Sequence, residues 1–152
     1  MSVGKPHDSS LKSAIDMYSD RLGHYFPFAW EILPPPKLAG KMSEADLKME
    51  EGRQIVSRLQ SSDFLILLDE RGKLLSSPEL ANLIAQKANQ GMNKLVFLIG
   101  GAYGVSAEVK ARTQFTWSIS PLVFPHMLVR LILAEQLYRA CTILRNEKYH
   151  HS

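Results

Sequence analysis

The chain has 152 residues, of which 45% are hydrophobic and 22% charged, so it can bury the core of one folded domain and is not disordered. Its longest apolar runs, residues 64–68 and 95–99, are far shorter than the roughly 20 residues that cross a bilayer. The opening residues lack an apolar signal segment, and the single cysteine, Cys141, cannot form an intrachain disulfide. We therefore expect a cytoplasmic protein. A net charge of +3 is compatible with an RNA partner but does not require one.

The first part of the chain alternates helix and strand signals. Apolar residues at three- and four-residue spacing predict an amphipathic helix over residues 9–22. Residues 28–33 are typical of a strand, which the prolines at 34–36 end because proline cannot donate to a sheet ladder. Ser43 is a good amino-terminal cap, and the acidic residues that follow it predict the start of a second helix there.

The middle of the chain continues this alternation. Residues 64–68 predict a buried strand, and the polar residues 69–73 predict a surface loop after it. A third helix should begin at a capping box formed by Ser76 and Glu79, with proline in the first turn. Residues 94–99 predict another buried strand.

A glycine-rich turn over residues 100–104 leads to a helix that should begin near Ser106, and residues 116–119 predict a last short strand. The long final helix, from Met127 onward, is apolar on nearly all sides. Such a helix must be buried on most sides, either within the domain or against a second copy of the chain, which favours a homodimer.

Regular alternation of strand and helix indicates an α/β fold with a largely parallel sheet. Ligand sites of such sheets lie beyond the carboxyl ends of the central strands, so the segments after Leu68 and Ile99 are candidates. The glycines at 100, 101 and 104 would let backbone amides approach a ligand, although the spacing alone favours an ordinary tight turn.

Other reactive side chains give weaker signals. The carboxylates have no metal-ligand spacing, so no metal is expected. Cys141 lies on the apolar helix and is better interpreted as a small core residue than as a nucleophile. His126 stands at the entry to the last helix, where a structural role and a chemical one are equally compatible with the pattern.

Several motifs, taken in order, carry a specific resemblance. They are Leu68-Asp69 with Gly72-Lys73, Ser76 to Ala81, Phe97 to Gly101 with Gly104, Phe124-Pro125-His126 through Arg130, Glu135 to Ala140, and the ending Tyr149-His150. Together they resemble the ribosomal RNA large-subunit methyltransferase H family of the SPOUT superfamily over essentially the whole chain. Family members carry a few more apolar residues before Val3-Gly4-Lys5, so the resemblance implies a shortened first strand or a truncated start here.

The resemblance implies one SPOUT domain over residues 1–152, in which a largely parallel sheet is flanked by helices and the carboxyl-terminal part forms a trefoil knot. It also implies a homodimer. The methyl donor would be S-adenosylmethionine, with no metal, held by Leu68, Gly101, Ser120, Pro121, Leu122, Val123, Phe124 and Pro125. The acceptor side would contain His126, Arg139, Tyr149 and His150 as catalytic residues, with Arg130 and Arg139 binding RNA.

The implied reaction is methylation of N3 of a pseudouridine in 23S ribosomal RNA, with the assembled ribosome as substrate and no membrane involved. It needs alignment of donor and acceptor and loss of the N3 proton. Two alternatives remain open at this point. One is a non-catalytic RNA-binding or ribosome-assembly protein with the same fold, and the other is a SPOUT methyltransferase that acts on transfer RNA.

Overall fold

The computed structural model describes residues 1–7 and 9–149, which contain one five-stranded sheet. Its strands are β1 (Ser2–Val3), β2 (Ile32–Leu33), β3 (Phe64–Leu74), β4 (Leu95–Ile99) and β5 (Phe115–Ser118). Their order across the sheet is β2-β1-β4-β3-β5, and every pairing is parallel. The predicted α/β fold with a parallel sheet is therefore confirmed.

Helices cover both faces of this sheet. They are α1 (Ser9–Gly23), α2 (Glu44–Val56), α3 (Ser77–Asn89), α4 (Ala107–Arg112) and α5 (His126–Leu144), with a short 3-10 turn at Ala39–Lys41. One apolar core joins α1, α3 and α5 to one face of the sheet, and a second joins α2 and α4 to the other. In the described part of the chain, no helix combines the length and apolar character needed to span a membrane.

The predicted helix starts are confirmed by their hydrogen bonds. Ser43 accepts from the backbone N–H of Asp46 at 3.1 Å. Ser76 and Glu79 form the predicted capping box at the start of α3. The Ser106 side chain accepts from the backbone N–H of Val109 at the start of α4. Each side chain satisfies an amide that the first turn of a helix leaves without a partner.

Two strand predictions were wrong in extent. The predicted strand over 28–33 forms a ladder only at Ile32–Leu33, because its neighbour β1 is itself only two residues long. The predicted loop over 69–73 is instead the continuation of β3, which pairs again with β5 after a shift in register. Gly72 permits this second pairing, since a Cβ there would lie 2.7 Å from the carbonyl carbon of Trp117.

The long helix α5 packs mainly on α1 and α3. Its fully buried residues include Leu133, Ala134, Leu137 and Ala140. A second apolar stripe of half-buried side chains runs along another side of the helix and belongs to neither core; it consists of Leu128, Leu131 and Ile132. Packing within one chain thus explains only part of the apolar surface of α5.

Candidate functional site

A cavity of about 590 Å³ lies where β4 and β5 end, beside the middle of β3. Three separate segments of the chain form its walls, and they are parts of residues 67–71, 99–105 and 119–126. Lys48 from α2, Lys110 from α4 and Val129 from α5 complete it. The cavity thus occupies the edge of the sheet at which parallel α/β folds bind ligands.

Most of the residues predicted to bind the donor meet in this cavity. Its walls include Leu68, Gly101, Ser120, Leu122, Val123 and Phe124. Pro121 and Pro125 lie in the same segment but do not contribute to the walls. The Ser120 Oγ accepts a hydrogen bond from the Leu122 N–H at 3.0 Å and so shapes the turn. Leu122 and Val123 are 68% and 83% exposed, which leaves apolar surface available to a ligand.

The glycine turn forms one wall of the cavity. Gly104 has a φ of 82°, a conformation that favours glycine, and its N–H donates to the carbonyl of Gly101 at 3.0 Å. The interpretation as a tight turn is therefore confirmed. The same turn also exposes backbone to the cavity, so the two interpretations of these glycines are compatible.

A buried carboxylate lies directly against this turn. A Cβ built on Gly101 would be 2.1 Å from Oε2 and 3.0 Å from Oε1 of Glu51, a residue of α2. Glu51 is only 6% exposed, and burial raises its pKa above the ordinary range. The space that a side chain at position 101 would need is therefore occupied by Glu51.

The next residue of α2 fixes the other end of the turn. A Cβ on Gly52 would lie 2.2 Å from Oγ of Ser106, the capping residue of α4. The adjacent residues Glu51 and Gly52 thus contact the two ends of the segment from Gly101 to Ser106. Helix α2 holds the shape of the glycine turn by close packing at two points.

The sequence analysis did not identify Glu51, although the spacing of the residues around it indicates a core position. Leu47, Glu51 and Ile55 follow one another at four-residue spacing, and all three are buried on the same side of α2. A charged residue at a core position of an amphipathic helix is uncommon unless it has a partner or a task. The carboxylate at this position was therefore detectable from the sequence.

His126 begins α5 and forms part of the cavity wall. Burial lowers the pKa of its imidazole below the ordinary value, and the nearby positive charge of Arg130 lowers it further. A hydrogen bond with the backbone of Val3 acts in the opposite direction and raises the pKa. The balance leaves the ring uncharged at neutral pH.

Arg130 does not reach the cavity walls and is 0% exposed. Its guanidinium donates to the Ser2 Oγ and to the Lys5 carbonyl, both at 2.9 Å. Burial lowers its pKa below the ordinary value. Within one chain, this arginine anchors the amino-terminal segment to α5.

Arg139 and Tyr149 meet in a second place, which we call the tail cluster (Tyr18, Glu135, Tyr138, Arg139 and Tyr149). Arg139 forms two hydrogen bonds to one oxygen of Glu135, at 2.9 and 2.5 Å. The Tyr149 hydroxyl lies 3.2 Å from the same oxygen and 3.1 Å from the Tyr18 hydroxyl. Burial raises the pKa of Tyr149, as does the hydrogen bond with Tyr18. His150, also predicted to be catalytic, lies outside the described residues.

The tail cluster is remote from the cavity of the same chain. His126 and Arg139 are 13 positions apart on the continuous helix α5, which corresponds to about 20 Å along its axis. The fold therefore brings together most of the predicted donor residues with His126, and separately Arg139 with Tyr149. Residues 1–7 and 9–149 include no grouping of three or more His, Cys, Asp or Glu side chains suited to a metal ion.

The sequence matches a family described as "Predicted SPOUT methyltransferase" over residues 1–150. It is 46% identical over 149 residues to a protein of Christiangramia forsetii named "Ribosomal RNA large subunit methyltransferase H", covering 98% of this chain and 95% of that protein. The proteins of the same name from Cytophaga hutchinsonii and Flavobacterium johnsoniae are 47% and 45% identical, over 98% and 99% of this chain and 96% of each relative. The resemblance noted from the motifs is thus confirmed, and these relatives support a methyltransferase.

Proposed function

The chain belongs to the SPOUT methyltransferase family, and from this premise we propose that it methylates N3 of a pseudouridine in 23S ribosomal RNA within the assembled ribosome. The proposed methyl donor is S-adenosylmethionine. The observation that carries the proposal is the cavity itself, because three distant segments meet there and contribute most of the residues predicted to bind the donor. A protein that acts on ribosomes would work in the cytoplasm.

The cavity has the size and chemistry that this donor needs. Its volume of about 590 Å³ is within the range of roughly 300–1,000 Å³ that is common for small-molecule sites. Leu122, Val123 and Phe124 offer apolar cover, while the backbone of the two turns offers hydrogen bonds. S-adenosylmethionine, when bound, supplies the methyl group that is transferred.

The two candidate sites differ in what they can do with a proton. Because the imidazole of His126 is uncharged at neutral pH, one ring nitrogen can accept the N3 proton of the acceptor base. The raised pKa of Tyr149 keeps its phenol protonated, so this side chain orients the base by hydrogen bonding instead of removing a proton. Arg139 is suited to phosphate or uracil oxygens. Arg130 would contribute to the acceptor side only indirectly, because its hydrogen bonds to the amino-terminal segment hold α5 in position.

The separation of the two sites along α5 supports a homodimer. A second copy would cover the half-buried stripe of Leu128, Leu131 and Ile132, which neither core uses. The midpoint between His126 and Arg139 lies between Ile132 and Leu133, close to that stripe. If two α5 helices pack antiparallel about this midpoint, a two-fold axis brings Arg139 of one copy opposite His126 of the other. Each site would then combine a cavity with the tail cluster of the second chain.

The SPOUT family also leads us to propose a trefoil knot in the carboxyl-terminal part. The return of residues 119–126 against the glycine turn, after β5 has paired at the far edge of the sheet, is compatible with it. True knots are rare, so a direct test is needed. A stable domain fused after residue 152 should slow refolding far more than the same domain fused before residue 1. Equal slowing by both fusions would contradict the knot.

Methyl transfer from labelled S-adenosylmethionine tests the reaction. Intact ribosomes, free ribosomal RNA and transfer RNA from cells that lack this protein serve as acceptors, and the modified nucleoside is identified by mass. We expect label in N3-methylpseudouridine from ribosomes. Label confined to transfer RNA would replace the proposed substrate. Donor binding without any transfer would contradict the proposed reaction.

Mixed dimers test the shared site. One variant, Val123→Trp, fills the cavity from an exposed position, and the other, Arg139→Ala, removes the tail arginine. Each alone should have at most about a hundredth of wild-type activity. If the cavity and the tail cluster come from different chains, half of the sites in each mixed dimer are intact, and co-refolding equal amounts restores about a quarter of wild-type activity. A site formed within one chain predicts no recovery.

A further inference from the structure

Glu51 is a buried carboxylate to which the proposed function gives no task. In residues 1–7 and 9–149 no hydrogen bond or ion pair reaches it, and burial is the only cause of its raised pKa. A buried acid without a partner destabilises a folded protein. An apolar residue between Leu47 and Ile55 would pack on the same side of α2 without that cost. The Glu51 oxygens are not among the fully buried atoms without a partner in the described residues, so the carboxylate is largely but not completely removed from solvent beside the cavity.

The geometry places this carboxylate directly against the cavity wall, although Glu51 is not itself one of the residues that line the cavity. Its oxygens lie where the Cβ of residue 101 would be, and Gly101 belongs to that wall. No side chain stands between the carboxylate and the glycine backbone. The absence of a side chain at Gly52 lets α2 pack closely against Ser106. This packing places Glu51 at the glycine turn.

The two carboxylates that line the cavity already have partners. Asp69 Oδ1 accepts the N–H of Arg71 at 2.9 Å, and Glu70 forms an ion pair with the same arginine at 3.7 Å. An ionised carboxylate has two acceptor oxygens and no donor, so it pairs well with two neighbouring hydroxyls. Acidic side chains accept ribose hydroxyls in the same manner in dinucleotide-binding folds.

We propose that Glu51 is the acceptor for the ribose hydroxyls of the nucleoside that enters the cavity beside the glycine turn. The inference rests on the proposed function, because it takes the nucleoside to be that of S-adenosylmethionine. The Glu51 side chain would then increase the affinity for the donor and decrease the stability of the ligand-free protein. A structural role for Glu51 would not produce these opposite effects.

Three variants separate the two effects. Glu51→Gln keeps the shape, Glu51→Met completes the apolar stripe, and Glu50→Gln on the exposed side of α2 is the matched control. We expect Glu51→Met to raise the melting temperature of the ligand-free protein by about 2–4 °C. Both Glu51 variants should bind S-adenosylmethionine about 10- to 100-fold more weakly, and the control should change neither quantity. A lower melting temperature with unchanged affinity would overturn the proposal.

A ligand series identifies the group that Glu51 contacts. Dissociation constants are measured calorimetrically for S-adenosylmethionine, S-adenosylhomocysteine and 5′-methylthioadenosine, which share the ribose but differ in charge. An equal loss for all three on Glu51→Gln, and none for a 2′,3′-dideoxy analogue, supports ribose binding. A loss confined to the charged ligands would overturn it in favour of a charge contact. Failure of the wild-type protein to bind S-adenosylmethionine would instead contradict the proposed donor.

Discussion

The cavity and the tail cluster are held together by different physical means. Backbone turns form much of the cavity wall, and close packing at glycines fixes their shape. The tail cluster consists of side chains that satisfy one another, with the carboxylate of Glu135 accepting from both Arg139 and Tyr149. A cavity built in this way is sensitive to an added carbon atom. The cluster is sensitive to the loss of one polar group. In the proposed dimer, the tail cluster of one chain completes the site of the other chain.

The largest expected effect concerns the tail cluster. Arg139→Ala should lower kcat about 100-fold and leave donor affinity unchanged, because it removes a charged hydrogen-bonding group from the acceptor side. Rates measured on ribosomes and calorimetry with the donor provide the two readouts. Arg53→Ala, which breaks only a surface ion pair with Glu50, is the control. A matching loss of donor affinity would show that the two regions are not separate in function.

Gly101→Ala should break the cavity. The new Cβ would clash with Glu51, and overpacking of this kind costs about 1–3 kcal/mol in the free energy of unfolding. Urea denaturation measures the loss, and Gly40→Ala is the control because its Cβ would meet no atom within 4 Å. Adding Glu51→Ala to the variant should recover more than half of the loss. Additive effects of the two substitutions would contradict a clash between these residues.

The dependence of the methyl-transfer rate on pH distinguishes the cavity from the tail cluster, because only the cavity contains the proposed proton acceptor, His126. The lowered pKa of His126 means that the uncharged, active form persists below the ordinary value of 6.5. The rate should be constant at neutral pH and fall about tenfold per unit once the pH drops below that lowered pKa. The folded state binds this proton less tightly than the unfolded chain, so stability also declines with falling pH. An unchanged acid limb in His126→Asn would contradict the assignment.

The smallest expected effect lies outside both regions. Ser76→Ala removes the capping hydrogen bonds of α3 and should cost about 1 kcal/mol in the free energy of unfolding, with methyl transfer unchanged. Thermal denaturation measures the cost, and the exposed Ser62→Ala is the control. A large loss of activity in Ser76→Ala would indicate that α3 affects the site in a way that its packing does not explain.

Local signals in the sequence were enough for the helix starts, the parallel sheet and the edge at which the cavity lies. Capping depends on a side chain and an amide three residues away, so Ser43, Ser76 and Ser106 could be identified from the sequence alone. The extension of β3 through residues 69–73 could not, because its polar residues match a loop as well as an edge pairing. That pairing depends on Gly72 meeting β5, which is more than 40 residues further along the chain.

The sequence by itself determined which segments become helices and strands, because those choices depend on periodicity and on neighbours within one or two turns. Its motifs also determined the family. Only the tertiary structure decided that Glu51 occupies the place of a side chain at Gly101, and that the Tyr149 hydroxyl lies 3.1 Å from the Tyr18 hydroxyl. Both contacts join residues that are at least 50 positions apart in the chain. They depend on how the helices pack together, which no local pattern contains.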